Sequence, residues 1–175
     1  MNSENRRQQY VNLMPLSLRG LVTDLDAMGF FKAPASIRYH GSYSGGLFDH
    51  SFSVTSALVS LTERLGLKWS RPESPYIVGM FHDLCKTQSY EHDPDSDEWF
   101  HRKDPMMPDH GALSIILAQR MISLTDEEIA CIRWHMGAFE KDPAMWNHYS
   151  NAIEAFPNVL YTHTADMIAS KIIGI

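Results

Sequence analysis

Apolar residues recur three and four positions apart along most of the 175-residue chain, which is the pattern of amphipathic helices that bury one face. This spacing predicts a helix over residues 18–28 that stops at Gly29, and a long helix over residues 46–66. Pro15 either lies at or before the first turn of the helix over residues 18–28 or separates it from a shorter helix around residues 9–14. Further helices are predicted from Pro75 to residue 84, from residue 108 to residue 121, from Thr125 to His135, and after Pro157. The first few residues are expected to fray. The pattern indicates an all-α fold.

Three stretches interrupt the helical pattern. Residues 87–103 place polar and aromatic positions on both sides of the turn-forming residues 93–97, which predicts a small inserted β-hairpin. His92 and His101 are expected to be exposed residues of its strands. Residues 30–46 and residues 137–149 contain glycine or proline without a helical period, so both are predicted to be loops.

Composition and charge narrow the class of protein. With 44% hydrophobic and 21% charged residues, the sequence is that of an ordinary globular domain. Two cysteines, Cys85 and Cys131, fit a reduced compartment, and no apolar run approaches membrane-spanning length, so we expect a cytoplasmic protein with no membrane partner. The net charge of −6 argues against duplex nucleic acid as a partner but is compatible with a small anionic substrate. No feature of the sequence indicates an oligomeric state.

Six potential metal ligands occupy inward positions of the predicted helices. Imidazole and carboxylate groups are costly to bury unless they are paired or coordinated, and separate helices would direct these groups to one place. The candidate ligands are His50, His82, Asp83, His110, His135 and Asp166. Four imidazoles and two carboxylates suit Mn²⁺, Fe²⁺, Co²⁺, Ni²⁺ or Zn²⁺. The opposing interpretation, in which all six are hydrogen-bonded core residues, requires six coincidences.

The order of these six residues, with Lys86 following Asp83 by three positions, resembles the HD-domain superfamily of metal-dependent phosphohydrolases. The resemblance implies a helical bundle and a single domain over residues 1–175, with residues 1–30 as an N-terminal helical segment and residues 38–170 as the metal-binding core. It also implies two divalent metal ions. The first would be held by His50, His82, Asp83 and Asp166, and the second by His110 and His135, with Asp83 bridging.

The same resemblance implies hydrolysis of a phosphate ester by a metal-activated water, with Asp83 and Lys86 as catalytic residues. Lys86 is also a candidate for binding the substrate phosphate. Arg38 and His40 precede the first ligand helix and are further candidates for substrate binding, as is Trp146 in the aromatic loop. The expected substrate is a nucleotide, a cyclic nucleotide or a short oligonucleotide.

Two other functions stay open on the sequence. A similar ligand set in the wider superfamily supports di-iron oxygenase chemistry, which requires redox-active iron. A non-catalytic module that binds a nucleotide through its metals is the other alternative, although all six ligand positions are filled here. Hydrolysis is favoured because a lysine in the position of Lys86 suits a phosphate group.

Overall fold

Helices account for most of the chain that the structure describes. The computed structural model describes residues 1–103, 109–137 and 143–175. Its α-helices are α1 Ser3–Leu13, α2 Val22–Ala27, α3 Gly46–Leu65, α4 Ser74–Phe81, α5 Lys86–Ser89, α6 His110–Gln119, α7 Asp126–Arg133, α8 Pro143–Ala155 and α9 Asn158–Met167. A 3₁₀ segment, Leu16–Leu21, precedes α2, and a π-helical segment, Ile168–Ile173, continues α9. The mostly helical fold predicted from the sequence is confirmed.

A β-hairpin lies between α5 and α6, within the predicted residues 87–103. Strands β1 Tyr90–Asp93 and β2 Glu98–His101 pair antiparallel, with Tyr90 opposite His101 and Asp93 opposite Glu98. Asp97 closes the turn with a φ of 56°, a left-handed conformation that aspartate tolerates better than most residues. The hairpin is therefore four residue pairs long and starts one helical turn after Lys86.

Helix α3 lies at the centre of the fold, where it packs against α4 and α9 and also contacts α1. Gly45 and Gly66, both in the left-handed conformation, cap its two ends, close to the predicted bounds of residues 46–66. Its closest neighbour is α4, because Gly79 has no side chain: a Cβ at this position would lie 2.6 Å from the Cα of Thr55. The two helices thus meet almost backbone to backbone.

The N-terminal segment is ordered, which corrects the expectation that it frays. Asn2 caps α1 by accepting a hydrogen bond from the backbone of Asn5. The buried Arg6 guanidinium forms two hydrogen bonds of 2.9 Å with the Asp49 carboxylate, which ties α1 to the first turn of α3. A buried guanidinium of this kind requires such a partner. The helix predicted around residues 9–14 overlaps the C-terminal part of α1, and the long-range pair explains why local sequence signals did not place the helix start at Ser3.

Several predicted boundaries are wrong. Residues 18–28 form a 3₁₀ turn followed by α2 rather than one helix, and α4 and α7 end at Phe81 and Arg133, before the histidines they were expected to carry. The predicted loop over residues 137–149 becomes helix α8 at Pro143, and residues 138–142 of that loop lie outside the described part of the chain. The capping box predicted at Thr125 is confirmed.

Among the helices described, none is both long and apolar enough to cross a membrane.

Candidate metal centre

The six candidate ligands converge from five parts of the chain. His50 lies on α3 and Asp166 on α9, and their side chains meet, with His50 Nε2 lying 3.2 Å from Asp166 Oδ1. His82 follows α4 directly, and its Nε2 lies 3.2 Å from His50 Nε2. Two helices and the end of a third therefore supply one group of potential ligands.

Asp83 lies between this group and the remaining histidines. Its carboxylate oxygens are 3.8 Å from His82 Nε2 and 3.5 Å from His135 Nε2. The His135 ring, just beyond α7, stacks on the His110 ring of α6 with the ring centres 5.3 Å apart. Ligand atoms of His50, His82 and Asp83 lie within 4.8 Å of one another, and so do those of Asp83, Cys85 and His110. Asp83 is shared by both groups.

Backbone carbonyls orient three of the imidazoles. Nδ1 of His82 lies 2.9 Å from the Gly79 oxygen, Nδ1 of His135 lies 2.7 Å from the Ile132 oxygen, and Nδ1 of His50 lies 2.8 Å from the Ile175 oxygen. A carbonyl oxygen only accepts, so each Nδ1 carries the proton and each neutral ring directs the lone pair of Nε2 into the site. Metal-binding histidines are commonly oriented in this way.

The Nε2 atoms then face other acceptors. In the neutral tautomers, His50 and His82 present two lone pairs to each other across 3.2 Å. His135 Nε2 faces Asp83 Oδ1, and both atoms are buried without a hydrogen-bond partner among the described residues. Unpaired buried acceptors are costly, and a cation between them removes the cost. The residues present therefore fit a divalent metal, and a buried His and Asp cluster is the donor set that such ions prefer.

Burial and charge separate the pKa values of the histidines. Burial lowers the pKa of His82 and the pKa of His110 to about 4. Burial also acts to lower the pKa of His50 and of His135, but the carboxylates of Asp166 and Asp83 outweigh it and raise both values. The pKa values of the two imidazoles nearest the carboxylates are thus shifted in the opposite direction to those of His82 and His110.

The two carboxylates remain ionised in this environment. Burial acts to raise the pKa of Asp83, but the positive charge of Lys86 and the nearby imidazoles hold it well below its usual range. Burial also acts to raise the pKa of Asp166, but the nearby imidazoles, above all His50, lower this pKa to about 2. Asp83 is only 7% exposed, so its charge is neutralised locally rather than by solvent.

Lys86 lies next to Asp83 on the first turn of α5. Burial acts to lower its pKa, but the charge of Asp83 and contact with Tyr90 raise it above the ordinary value for lysine. Its Nζ atom is 5.9 Å from the centre of the Tyr90 ring. The side chain is therefore a fixed cation beside the candidate ligands.

A cavity of about 260 Å³ opens onto the centre. Three candidate ligands line it, namely Asp83, His110 and Asp166, together with three predicted substrate-binding residues, Arg38, His40 and Lys86. The His40 ring also contacts the His50 ring, with centres 4.9 Å apart. Trp146 does not line this cavity; it lies on α8 with 47% of its surface exposed.

Sequence reasoning did not assign a role to several residues at the cavity. Tyr90 and His101 of the hairpin and Met136 line it, and His163 Nδ1 lies 2.8 Å from the backbone oxygen of His135. His101 is exposed on β2, as expected, but the register that places it opposite Tyr90 also places it at the cavity. Cys85 is a buried free thiol next to the second ligand group, and burial raises its pKa to about 12.

The chain is similar to the dihydroneopterin 2',3'-cyclic phosphate phosphodiesterase of Methanocaldococcus jannaschii, with 31% identity over 148 residues. The alignment covers 81% of this chain and 53% of that enzyme, so the chain spans about half the length of this curated relative. No protein-family model matches the chain. No solved structure matches it.

The helical fold, the buried cluster of His50, His82 and Asp83, and this similarity show that the chain belongs to the HD-domain superfamily. The sequence order of the candidate ligands had indicated this family.

Proposed function

We propose that the protein is a metal-dependent phosphohydrolase that cleaves a small phosphodiester. The observation that carries this proposal is the meeting of two different groups in one cavity: a buried cluster of imidazoles and carboxylates suited to metal, and the side chains of Lys86 and Arg38, suited to phosphate. The similar protein from Methanocaldococcus jannaschii is, by name, a phosphodiesterase for a cyclic phosphate. A cyclic phosphodiester is therefore the first substrate class to test.

The proposed ligand assignment follows the two groups of side chains. His50, His82, Asp83 and Asp166 would hold one divalent ion, and His110 and His135 would hold a second, with Asp83 contributing to both. Mn²⁺, Fe²⁺, Co²⁺, Ni²⁺ and Zn²⁺ all suit such donors. When bound, such ions supply Lewis acidity, which acidifies water and offsets negative charge on phosphate oxygens.

The protein's own residues position the ester. Lys86 is a cation at neutral pH and is next to Asp83, so it would hold a phosphate oxygen close to the candidate ligands. Arg38 lines the same cavity from the loop before α3 and would hold another phosphate oxygen. His40, half-buried against His50, offers a ring nitrogen for a hydrogen bond to the ester. Charged donors placed in advance around the phosphate stabilise the charge that develops during cleavage.

The proposal is tested by turnover of the purified protein after its metals are removed and each candidate ion is restored. The substrates are a nucleoside 2',3'-cyclic phosphate, a chromogenic phosphodiester and a phosphomonoester. We expect metal-dependent cleavage of the cyclic diester that is lost in Asp83→Asn and retained in Asp95→Asn, which changes an exposed aspartate in the hairpin turn. Lys86→Met should lower kcat by about a hundredfold, the usual effect of removing one donor to developing charge.

A protein that binds metal and cleaves none of the three esters would refute the proposal. Oxygen uptake by the iron-loaded protein, without hydrolysis, would instead support the oxygenase alternative. Equal activity of the wild-type and Asp83→Asn proteins would show that the turnover comes from a contaminant.

A further inference from the structure

One face of the hairpin carries four rings. Residues directly opposite in an antiparallel pair, and residues two positions apart on a strand, have their side chains on the same face. Tyr90 and His101 form one such pair, with ring centres 5.1 Å apart and planes inclined by 46°. His92 and Trp99 form the next pair, with ring centres 4.9 Å apart. The two ring pairs therefore lie on the same face of the hairpin.

Tyr90 and His101, the inner pair, both line the cavity at the candidate metal centre, whereas His92 and Trp99 form the outer pair. Tyr90 is only 7% exposed, and its ring contacts Lys86. His101, by contrast, is exposed to solvent. The pair thus combines a buried aromatic support with an accessible planar imidazole. Such a surface suits stacking against a planar ring of a ligand.

The inner pair is held at a fixed distance from the phosphate-binding lysine. Tyr90 follows Lys86 by four residues, across the short helix α5. The Arg102 backbone N–H donates a 2.9 Å hydrogen bond to the Ser89 oxygen, and the Arg102 side chain pairs with Glu91 at 3.0 Å. These contacts anchor the base of the hairpin to α5. Since Lys86 and His101 both line the cavity, a ligand there can contact Lys86 with its phosphate and His101 with its ring.

The outer half of the hairpin is acidic, which opposes a longer anionic ligand. Carboxylates of Asp93, Asp95, Asp97 and Glu98 surround the turn, and Asp97 accepts a 2.9 Å hydrogen bond from His92 of the outer ring pair. The outer pair lies about 7 Å beyond the inner pair, so a second nucleotide there would bring its phosphate within a Debye length of these charges. Like charges at this separation disfavour a polyphosphate chain.

We propose that the Tyr90–His101 pair recognises a single planar heteroaromatic ring, so that the substrate is a monomeric phosphodiester such as a cyclic nucleotide rather than an oligonucleotide. This inference rests on the proposed function, because it places the ring relative to a phosphate at the candidate metal centre. The phosphate would contact Lys86, and the ring would stack on His101.

The test is equilibrium binding to the metal-loaded protein, measured by calorimetry. The two probes are a nucleoside 2'-monophosphate and glycerol 2-phosphate, which carry the same phosphate group with and without a planar ring. The variants are His101→Ala, His101→Phe and Phe100→Ala; Phe100 is the adjacent residue on the opposite face and is 41% exposed. We expect the nucleotide to bind about tenfold more tightly than glycerol phosphate in the wild type, as one stacked ring predicts.

This advantage should disappear in His101→Ala, persist in Phe100→Ala and be restored by His101→Phe, which keeps a planar ring. An equal loss for both probes in His101→Ala, or no preference in the wild type, would overturn the ring site. A trinucleotide with the same terminal phosphate should bind no more tightly than the mononucleotide, and tighter binding would overturn the assignment of a monomeric substrate.

Measurements of binding and of turnover test the ring site and the proposed function separately. Ring-dependent binding without hydrolysis of any cyclic phosphate would support the ring site and refute the proposed function. Hydrolysis that is equally fast with and without a planar ring, and unchanged in His101→Ala, would leave the proposed function standing and overturn this inference.

Discussion

Replacing Gly79 by alanine tests whether close contact between α3 and α4 holds the candidate metal centre together. Gly79 lies three residues before His82, and its carbonyl oxygen is the partner of His82 Nδ1. It faces Thr55, which lies five residues after His50 on α3. The contact therefore joins the segments that supply the two facing imidazoles.

The added methyl group has no room. Its carbon would lie 2.6 Å from the Thr55 Cα, 2.8 Å from its Oγ1 and 2.9 Å from its backbone nitrogen. Because carbon atoms normally pack about 3.5–4.0 Å apart, α4 must move away from α3 by about 1 Å. Two of the three clashing atoms belong to the backbone, so no rotamer change relieves the clash. Overpacking of this kind costs about 1–3 kcal/mol.

For a chain of this size, such a cost lowers the melting temperature by about 3–10 °C. The separation of His50 Nε2 from His82 Nε2, now 3.2 Å, should increase and weaken metal binding by about 10- to 100-fold, as displaced ligand supports commonly do. Thermal unfolding of the metal-free protein and calorimetric titration with metal measure the two effects. Gly20→Ala is the matched control, because a Cβ there meets no atom within 4 Å and the residue has no positive φ. If Gly79→Ala unfolds and binds metal like Gly20→Ala, the proposed role of the helix contact is wrong.

Three further predictions concern the buried carboxylate of Glu128 and two of the candidate ligands, Asp166 and His50. Glu128→Ala should lower the free energy of unfolding by about 2–4 kcal/mol in urea denaturation, because it leaves the buried Ser74 hydroxyl and the Thr125 backbone N–H without the carboxylate that now accepts their hydrogen bonds. An equal effect of Glu63→Ala, on an exposed part of α3, would contradict this reason. Asp166 has a folded pKa of about 2, below its ordinary 3.8, so it should stabilise the metal-free protein by about 2 kcal/mol above pH 4, and that contribution should be lost as the pH falls from about 4 to 2. Asp166→Asn should reduce the change in the free energy of unfolding between about pH 4 and pH 2, and an unchanged pH dependence would refute this prediction. The pKa of His50 is raised, so metal binding at a pH near or below this pKa should release a proton from the imidazole, and metal affinity should weaken as the pH falls. Calorimetric titration with metal in buffers of different ionisation enthalpy detects the released protons. Metal binding with no pH dependence between pH 5 and 8 would contradict this prediction.

The helical class and the hairpin predicted from the sequence are confirmed, whereas the predicted ends of several helices are not. His50 and Asp166 lie on helices, as their spacing within apolar stripes indicated. His82 and His135 instead follow the ends of α4 and α7. Apolar residues continue beyond Phe81 without a glycine or proline to mark an end, so periodicity alone extended the helix. The histidine positions are buried in either case, which is why the ligand set did not depend on the boundary.

Other features depend on contacts between distant segments. The first half of helix α1 is polar, and it is tied to α3 by the pairing of Arg6 with Asp49, which no local pattern reveals; the second half packs on the core through Tyr10. The place of His101 at the cavity follows from the orientation of the whole hairpin, and strand alternation gives the faces of a hairpin without saying which face meets the site. Helix α8 did have a local signal: Pro143 occupies the first helical position, where proline is favoured.

The pairing of carboxylates and imidazoles bears on the proposal that this acidic protein binds an anionic ester. Asp166 lies 3.2 Å from His50 and Asp83 lies 3.5 Å from His135, and these carboxylates raise the pKa of both imidazoles. Two divalent ions would leave the centre with an excess of positive charge, because their charge exceeds that of the two carboxylates and the imidazoles bind as neutral ligands. Lys86 adds to that excess from the first turn of α5. The chain as a whole carries a net charge of −6, but a field concentrated in a cavity by nearby cations decides the sign that an incoming phosphate meets. The proposed binding of a small phosphodiester therefore depends on the local charge of the centre rather than on the net charge of the chain.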